Sequence, residues 1–422
     1  MPERKLIDEC VHCGFCLPAC PTYHNWSEEM DSPRGRIYLM KSVDEGKLPL
    51  NEHVVSHFDA CLGCMGCVTA CPSGVQYDAL IEEQRVELEA HYRRGLFDRL
   101  FRAMIFALFP HPTRLRIAAF FQWLYVKSGL RRVLRALRLL SLLPPRLAQL
   151  EKLMPAVDAR VLTARLPEFT PAAGERRARV ALLAGCVQRV YFPDVNAATI
   201  RVLAAEGCDV IVPRAQGCCG ALSLHAGRER ESRELLRGLV ARFPLDVDAI
   251  VVNAAGCGSH LKTLNRWLRD DARAEAFAGK VRDVTEFLAG LPARAPRHAI
   301  EVRAAYHDAC HLRHAQRIVE QPRELLRGIP GLTLVEIADS DQCCGSAGIY
   351  NLVEPESARQ IGERKVANVL EAAPELLVSA NPGCTLQIQS ILRDRGLLLR
   401  AAHPIEVLDA SIRGTALAAS AY

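Results

Sequence analysis

The sequence predicts an α+β chain of several domains: an all-helical N-terminal domain, a helical connector, and two copies of one α/β unit. Three observations carry this. Two cysteine runs, Cys10/Cys13/Cys16/Cys20 before Pro21 and Cys61/Cys64/Cys67/Cys71 before Pro72, both read C-x2-C-x2-C-x3-C-P. The segment 93–146 holds twelve Lys/Arg against one acid, Asp98, within a Leu- and Phe-rich helical rhythm. From residue 179 onward, short apolar or β-branched runs alternate with helical stretches, and four cysteines recur at offsets of 124, 125, 125 and 127 residues. Near-constant offsets mean duplication of one unit. With 422 residues, 50% of them hydrophobic, the chain can fill more than one core.

The N-terminal domain, 1–92, is organised by the cysteine runs. Three thiols separated by two residues each fit a tight turn and three corners of one metal–sulfur cube, and the fourth follows after a longer step. Zinc prefers separated Cys pairs, and disulfides belong to secreted chains, so both are poorer readings. The spacing resembles that of bacterial two-cluster ferredoxins, where the fourth cysteine ligates the other cluster. That resemblance implies one 4Fe–4S cluster on Cys10, Cys13, Cys16 and Cys71, and a second on Cys61, Cys64, Cys67 and Cys20. Between the runs, Ser32 followed by Pro33 is a helix start, 34–45 continues it and Gly46 can end it. Residues 50–60 form a second helical stretch, and strand-like alternation is absent. In pattern this resembles the helical ferredoxin module of succinate dehydrogenase iron–sulfur subunits. Arg34 and Arg36 either hydrogen-bond the cysteine region or line a helix face.

The connector and linker, 93–178, reverse the charge. Residues 1–92 carry net −8 and 93–146 net +11, so no single field describes the molecule. Residues 97–143 are expected to be helical with breaks at Pro110 and Pro112, and Arg131, Arg132, Arg135 and Arg138 recur at helical intervals. Basic amphipathic helices can lie on anionic membranes, so peripheral contact with the inner face of the plasma membrane stays open. Packing on the rest of the chain or on a partner subunit is the commoner fate and the favoured one. Nucleic acid is not expected, because no interleaved aromatic platform accompanies the charge. The polar stretch 166–179 reads as a linker. No signal-peptide pattern opens the sequence, and no run of roughly eighteen apolar residues is free of charge, so a cytoplasmic chain without a membrane span is expected. Seventeen cysteines, an odd number in ligand-like spacing, fit a reducing compartment.

The repeats, 179–298 and 299–422, place their cysteines just after strand-like runs. Runs 180–183, 210–212 and 250–252 precede Cys186, Cys218–Cys219 and Cys257. Runs 302–306, 332–337 and 376–378 precede Cys310, Cys343–Cys344 and Cys384. If these strands are parallel, with crossover helices such as 197–206 and 358–371, their carboxyl ends share one edge and four thiols meet there in each unit. Cys208, which has no counterpart in the second repeat, reads as a small buried hydrophobe. His307, His311 and His314 flank Cys310; they are read as surface or loop residues satisfied by backbone, with proton relay or cluster tuning as the alternative.

A cysteine, then Cys-Cys-Gly, then a further cysteine resembles the cysteine-rich CCG domain of heterodisulfide reductase subunits and their relatives. The strings CVHCGFC at 10–16, SPRGRIYL at 32–39, GCCGA at 217–221 and CCGSAGIYNL at 343–352 extend the likeness over nearly the full length to the iron–sulfur subunits of bacterial glycolate oxidases. The resemblance implies a relay that takes electrons from a flavin-binding oxidase subunit toward quinone or another respiratory acceptor. Related lactate and glycerol-3-phosphate dehydrogenase subunits share the architecture, and a CCG-type reductase acting directly on a disulfide is the catalytic alternative. The chain departs from the heterodisulfide reductase pattern, because His260 and Gln387 stand three residues after Cys257 and Cys384 where that pattern has a cysteine. The two repeats therefore offer a third and a fourth cluster site of four thiols each: Cys186, Cys218, Cys219 and Cys257, with His260 as an extra ligand, and Cys310, Cys343, Cys344 and Cys384. Reversible disulfides and vestigial thiols are the alternatives. No G-x-G-x-x-G, phosphate loop or nucleophile motif is present, so this chain is not expected to bind flavin or NAD or to carry a catalytic residue. Oxidation of a hydroxy acid removes two electrons and clusters carry one, so a flavin elsewhere must split the pair.

Overall fold

A computed structural model describes residues 2–157 and 163–417. Up to residue 157 the described residues are helices and loops, without a strand. Helix Pro33–Asp44 begins as its sequence dictates: Ser32 is extended and its Oγ accepts from Gly35 N at 3.0 Å, with Pro33 in the first turn. Asn51 caps Glu52–Asp59 through Val54 N in the same way. With Tyr77–His91 these helices bury Ile37, Met40, Val54, Phe58, Leu80 and Ile81 in one core, and motif cysteines pack at its edge. Each fully buried aliphatic contributes roughly 1.5–3 kcal/mol, which anchors cysteine loops that have little regular structure of their own.

The connector forms Leu96–Leu108, Pro112–Lys127 and Leu130–Ala136, broken around Pro110 as expected. Only part of its apolar surface packs. Phe101 and Ile105 meet Leu352 and Val353 of the second repeat, and Leu115 and Ala119 meet Val190 of the first. Leu96, Phe97, Leu100, Ile117, Phe121 and Leu142 stay exposed. The packing expectation thus holds for one face of the first two helices, whereas Leu130–Ala136 buries no residue. Arg131 and Arg135 pair with Glu151. Among the described residues no helix is long and apolar enough to cross a membrane.

The repeats form two sheets. Strands β1 (Phe169–Thr170), β2 (Ala178–Leu183), β3 (Cys208–Ile211), β4 (Ala249–Val252) and β5 (Val281–Asp283) order as β1-β3-β2-β4-β5. Strands β6 (Val302–His307), β7 (Leu332–Val335), β8 (Leu376–Ser379) and β9 (Arg400–Ala402) order as β7-β6-β8-β9. All neighbours are parallel except β1 with β3. Leaving β1 aside, each unit runs second-first-third-fourth, and this shared order is the structural face of the duplication. The stretch 166–179 carries β1 as well as linker; two residues are too few for alternation to reveal a strand. Cys208 opens β3 fully buried, as expected.

Period-2 alternation builds the layers. Val180, Leu182, Ala304, Tyr306, Leu376 and Val378 point into one core shared by both repeats, whereas Ala181 and Leu183 face a separate core behind the first sheet. Arg201 grips Asp409 through two bonds of 2.9 and 2.7 Å between the helices Pro193–Ala205 and Pro404–Arg413.

Candidate metal centres

Parallel strands deliver the repeat cysteines to their carboxyl ends, where loops at a switch in strand order form a crevice. Cys218 Sγ lies 3.5 Å from Cys186 Sγ, and Cys219 Sγ 3.2 Å from Cys257 Sγ. In the second repeat the neighbouring pairs Cys310–Cys343, Cys343–Cys344 and Cys344–Cys384 are close enough to shift one another's ionisation. Gly220 and Gly345 make these turns: φ is +81° and +84°, and a Cβ would lie 3.0 Å from Ser232 O and 2.4 Å from Ala358 O. Both thiol sets line one cavity of about 280 Å³. The hydrogen bonds from Cys218 and Cys343, then burial, push Cys186 and Cys310 well above the ordinary thiol range. Buried thiols that resist ionising alone, Cys186, Cys218 and Cys219 in the first repeat and Cys310, Cys343 and Cys344 in the second, suit a polycationic centre, which lets them ionise together. No two of the seventeen cysteines are joined by a disulfide.

The N-terminal runs share one loop geometry. His12 and Gly14 in the first, and Gly63 and Met65 in the second, all have positive φ. Cys10 feels the charges of Cys71 and Cys13, while Cys67 feels Cys64, Cys20 and Cys61. Cys71 thus lies within charge range of Cys10, and both Cys20 and Cys16 of the first run lie within charge range of Cys67. Cys13 is exposed and Cys67 buried. Burial pushes the Cys61 thiol up, but Arg36, Arg85, the Gly63 N–H at 3.4 Å and the Tyr77 hydroxyl at 3.6 Å together hold it below the usual range. Arg36 lies beneath this run with 1% exposure, while Arg34 pairs with Glu29 nearer the surface. After its own burial, Cys64 is raised most by Cys310, and Cys343 in turn feels Cys64.

The histidines lie at the seam between domains rather than on the surface. A single π-helical turn, His311–Ala315, follows Cys310. His311 Nδ1 is 2.7 Å from Ser259 Oγ, and its Nε2 is 3.1 Å from Gly63 O. His314 bridges Thr69 Oγ1 at 2.7 Å and Asp341 O at 2.9 Å. Backbone satisfaction is thus met for these two, across a domain boundary. His307 departs from that expectation: it is 1% exposed and neither ring nitrogen has a partner. Its nearest ring nitrogen and the sulfurs of Cys344 and Cys384 lie within 4.8 Å of one another. His260 faces His225 and His311, and its strongest charged neighbours are His225, Glu82 and His311 rather than a thiol. Burial holds His225 and His260 down to about 4 and raises Glu82. The 3.0 Å contact of His225 Nδ1 with Glu82 is therefore a hydrogen bond from a neutral imidazole, not an ion pair. Glu82, Arg85 and His225, which line the shared cavity, were not singled out from sequence, and no local pattern marks them.

A helical domain with paired cysteine runs, joined to two sheets that each gather four thiols, defines an iron–sulfur protein. Family models agree: a 4Fe-4S dicluster domain matches residues 6–75, the linker region of the glycolate oxidase iron-sulfur subunit matches 97–154, and the cysteine-rich CCG domain matches 180–262 and 304–389. The chain is 40% identical to a probable glycolate oxidase iron-sulfur subunit of Bacillus subtilis (strain 168), covering 97% of this chain and 94% of that one. It is 34% identical to the glycolate oxidase iron-sulfur subunit of Escherichia coli (strain K12), covering 97% and 95%. Lactate utilization protein A of Geobacillus kaustophilus (strain HTA426) is 30% identical over 55% of this chain and 99% of its own length. The chain belongs to the glycolate oxidase iron–sulfur subunit family.

Proposed function

We propose that this chain is the electron-transfer subunit of a flavin-dependent complex that oxidises glycolate, and that it performs no substrate chemistry itself. Clusters on Cys10, Cys13, Cys16 and Cys71, and on Cys61, Cys64, Cys67 and Cys20, carry single electrons within domain 1–92. Centres on the thiols of 179–298 and 299–422 continue the path. The observation that supports this most is the nearness of Cys64 to Cys310 and Cys343: it gives a continuous run of sulfur from the exposed Cys13 to the second repeat. Electrons enter from a flavoprotein at the exposed cluster and leave toward quinone or another respiratory acceptor. The exposed apolar and arginine-rich face of 93–146 contacts the partner subunit or anionic lipid on the cytoplasmic side.

The test uses anaerobically purified chain. About eight iron per chain indicates the two N-terminal clusters, and about twelve or sixteen adds one or both repeats. The isolated chain reduces no dye at the expense of glycolate, and adding the flavin-bearing subunit restores the reaction. Glycolate turnover by the chain alone, with no flavin in its spectrum, contradicts the relay reading and favours catalysis at the repeat thiols.

A further inference from the structure

We propose that His307 is a nitrogen ligand of an iron–sulfur centre in the second repeat, which makes that centre a mixed imidazole–thiolate site and the two repeats chemically unequal. This rests on the reading that the second repeat holds such a centre.

Four observations converge on it. His307 is the last residue of β6, three before Cys310; at the repeat offset of 124 its counterpart is Leu183, the last residue of β2. Leu183 is apolar and buried in a core, whereas His307 puts two polar nitrogens, both partnerless, into an equally buried position. Buried imidazole nitrogens without hydrogen bonds are costly and call for an explanation. Secondly, the imidazole is grouped with Cys344 and Cys384, whose sulfurs lie within 4.8 Å of it and of each other. Thirdly, the obvious substitute for a fifth ligand is occupied. Gln387, three residues after Cys384, donates to Ala358 O at 3.1 Å and accepts from Asn351 Nδ2 at 3.0 Å, so its amide is committed to the fold. Finally, the neighbouring cation is not paired with the imidazole: Lys365, also buried, donates to Asp339 O and feels the charges of Cys344 and Cys343. An unpartnered nitrogen donor beside two sulfurs, with the Lys365 amine turned to Asp339 O instead, is a donor set for a histidine-ligated cluster. Compared with a thiolate at the same position, an imidazole raises a cluster's potential, which favours this centre as an electron sink next to Cys64.

The experiment is pulsed EPR on the full chain, purified anaerobically and labelled with nitrogen-15 histidine, with iron and sulfide counted. The second-repeat signal is identified by its loss in Cys384→Ala. The expected result is a strong isotope-sensitive nitrogen coupling on that signal, absent in His307→Leu, which copies the first repeat. In His307→Cys the centre persists without the coupling and its midpoint potential moves negative. A second-repeat signal without nitrogen coupling, or a coupling that survives in His307→Leu, overturns the proposal while leaving the centre itself intact. An iron count that fits the N-terminal clusters only, with no signal dependent on Cys384, removes both the centre and the proposal. Should His307→Leu fail to fold, His307→Cys decides: loss of the coupling with the Cys384-dependent signal retained supports the ligand, and a coupling that survives overturns it.

Discussion

Arg36 sets the electrostatics of the second cysteine run. Its guanidinium is buried, donating to His57 O at 2.6 Å, Asp31 O at 2.5 Å and both Thr22 Oγ1 and Asp31 Oδ1 at 3.2 Å. Burial opposes its charge, yet Cys61, Tyr77, Cys20 and Asp31 keep it firmly protonated. A unit charge within roughly 6 Å, at an effective dielectric of about 20, is worth about 3 kcal/mol, on the order of 100 mV in a one-electron potential. Reduction adds negative charge, so Arg36 favours it. We expect Arg36→Met to move the midpoint of this cluster negative by that order and to lower stability by roughly 3–5 kcal/mol, because Asp31 keeps only its 3.0 Å contact with His57 and the carbonyls of His57 and Asp31 lose their donor. An EPR redox titration and a thermal melt read the two effects; an unchanged midpoint would leave Arg36 a purely structural role. The sequence offered Arg36 as either a cluster neighbour or a helix-face residue. It could not decide, because the partners that bury it, His57 and Asp31, come from other elements. The cysteines themselves were legible, since metal–thiolate geometry demands a local spacing. His307 was not, because nothing in a strand sequence says which of its residues will lack a partner.

Elements were legible where local physics determines them. Ser32 and Asn51 cap their helices, and the β-branched runs become strands, since a cap bond or a buried pleat needs only neighbours in sequence. Contacts between elements left no such trace. Helix Tyr77–His91 of the N-terminal domain seats against the loop before Glu229–Arg242, where Gly227 has φ +79° and a Cβ would lie 2.2 Å from Arg85 O. On either side of that approach Arg85 donates to His225 O at 3.0 Å and to Cys61 O. One loop thus ties the second cysteine run to the first repeat. Gly227→Ala adds left-handed strain and a clash with backbone that cannot rotate away. We expect it to destabilise the chain by about 2–3 kcal/mol and to speed hydrogen exchange selectively in 77–91. Uniform exchange changes, with none at 77–91, would mean the seam does not depend on this approach.

On the scale of the whole molecule, the local motifs announce four thiol groups, but only the fold puts them in sequence: tertiary packing brings Cys64 beside Cys310, 246 residues further along the chain. Of the seventeen cysteines, the one exposed to solvent is Cys13, in the first run. Around the first run Val11 and Phe15 are each 68% exposed, Tyr38 is 53% exposed, and Cys13 reaches the surface. Cys61 and Cys67, in contrast, are buried against the rest of the molecule. Electron transfer slows steeply with distance, so a flavoprotein that supplies this chain must dock where a cluster lies nearest the surface. An exposed aromatic beside that cluster is the kind of anchor that dominates an interface. We expect Phe15→Glu to raise the concentration of flavin subunit needed for half-maximal glycolate-driven dye reduction by roughly tenfold or more, the equivalent of at least ~1.4 kcal/mol. Iron content and cluster EPR should not change. Leu398→Glu is the control: Leu398 is 96% exposed just before β9, at the amino-terminal edge of its sheet and away from the thiols, so the same charge there should leave the titration unaltered. If Phe15→Glu titrates like the wild type while Leu398→Glu weakens the complex, electrons enter through the second repeat and the direction of the path is reversed.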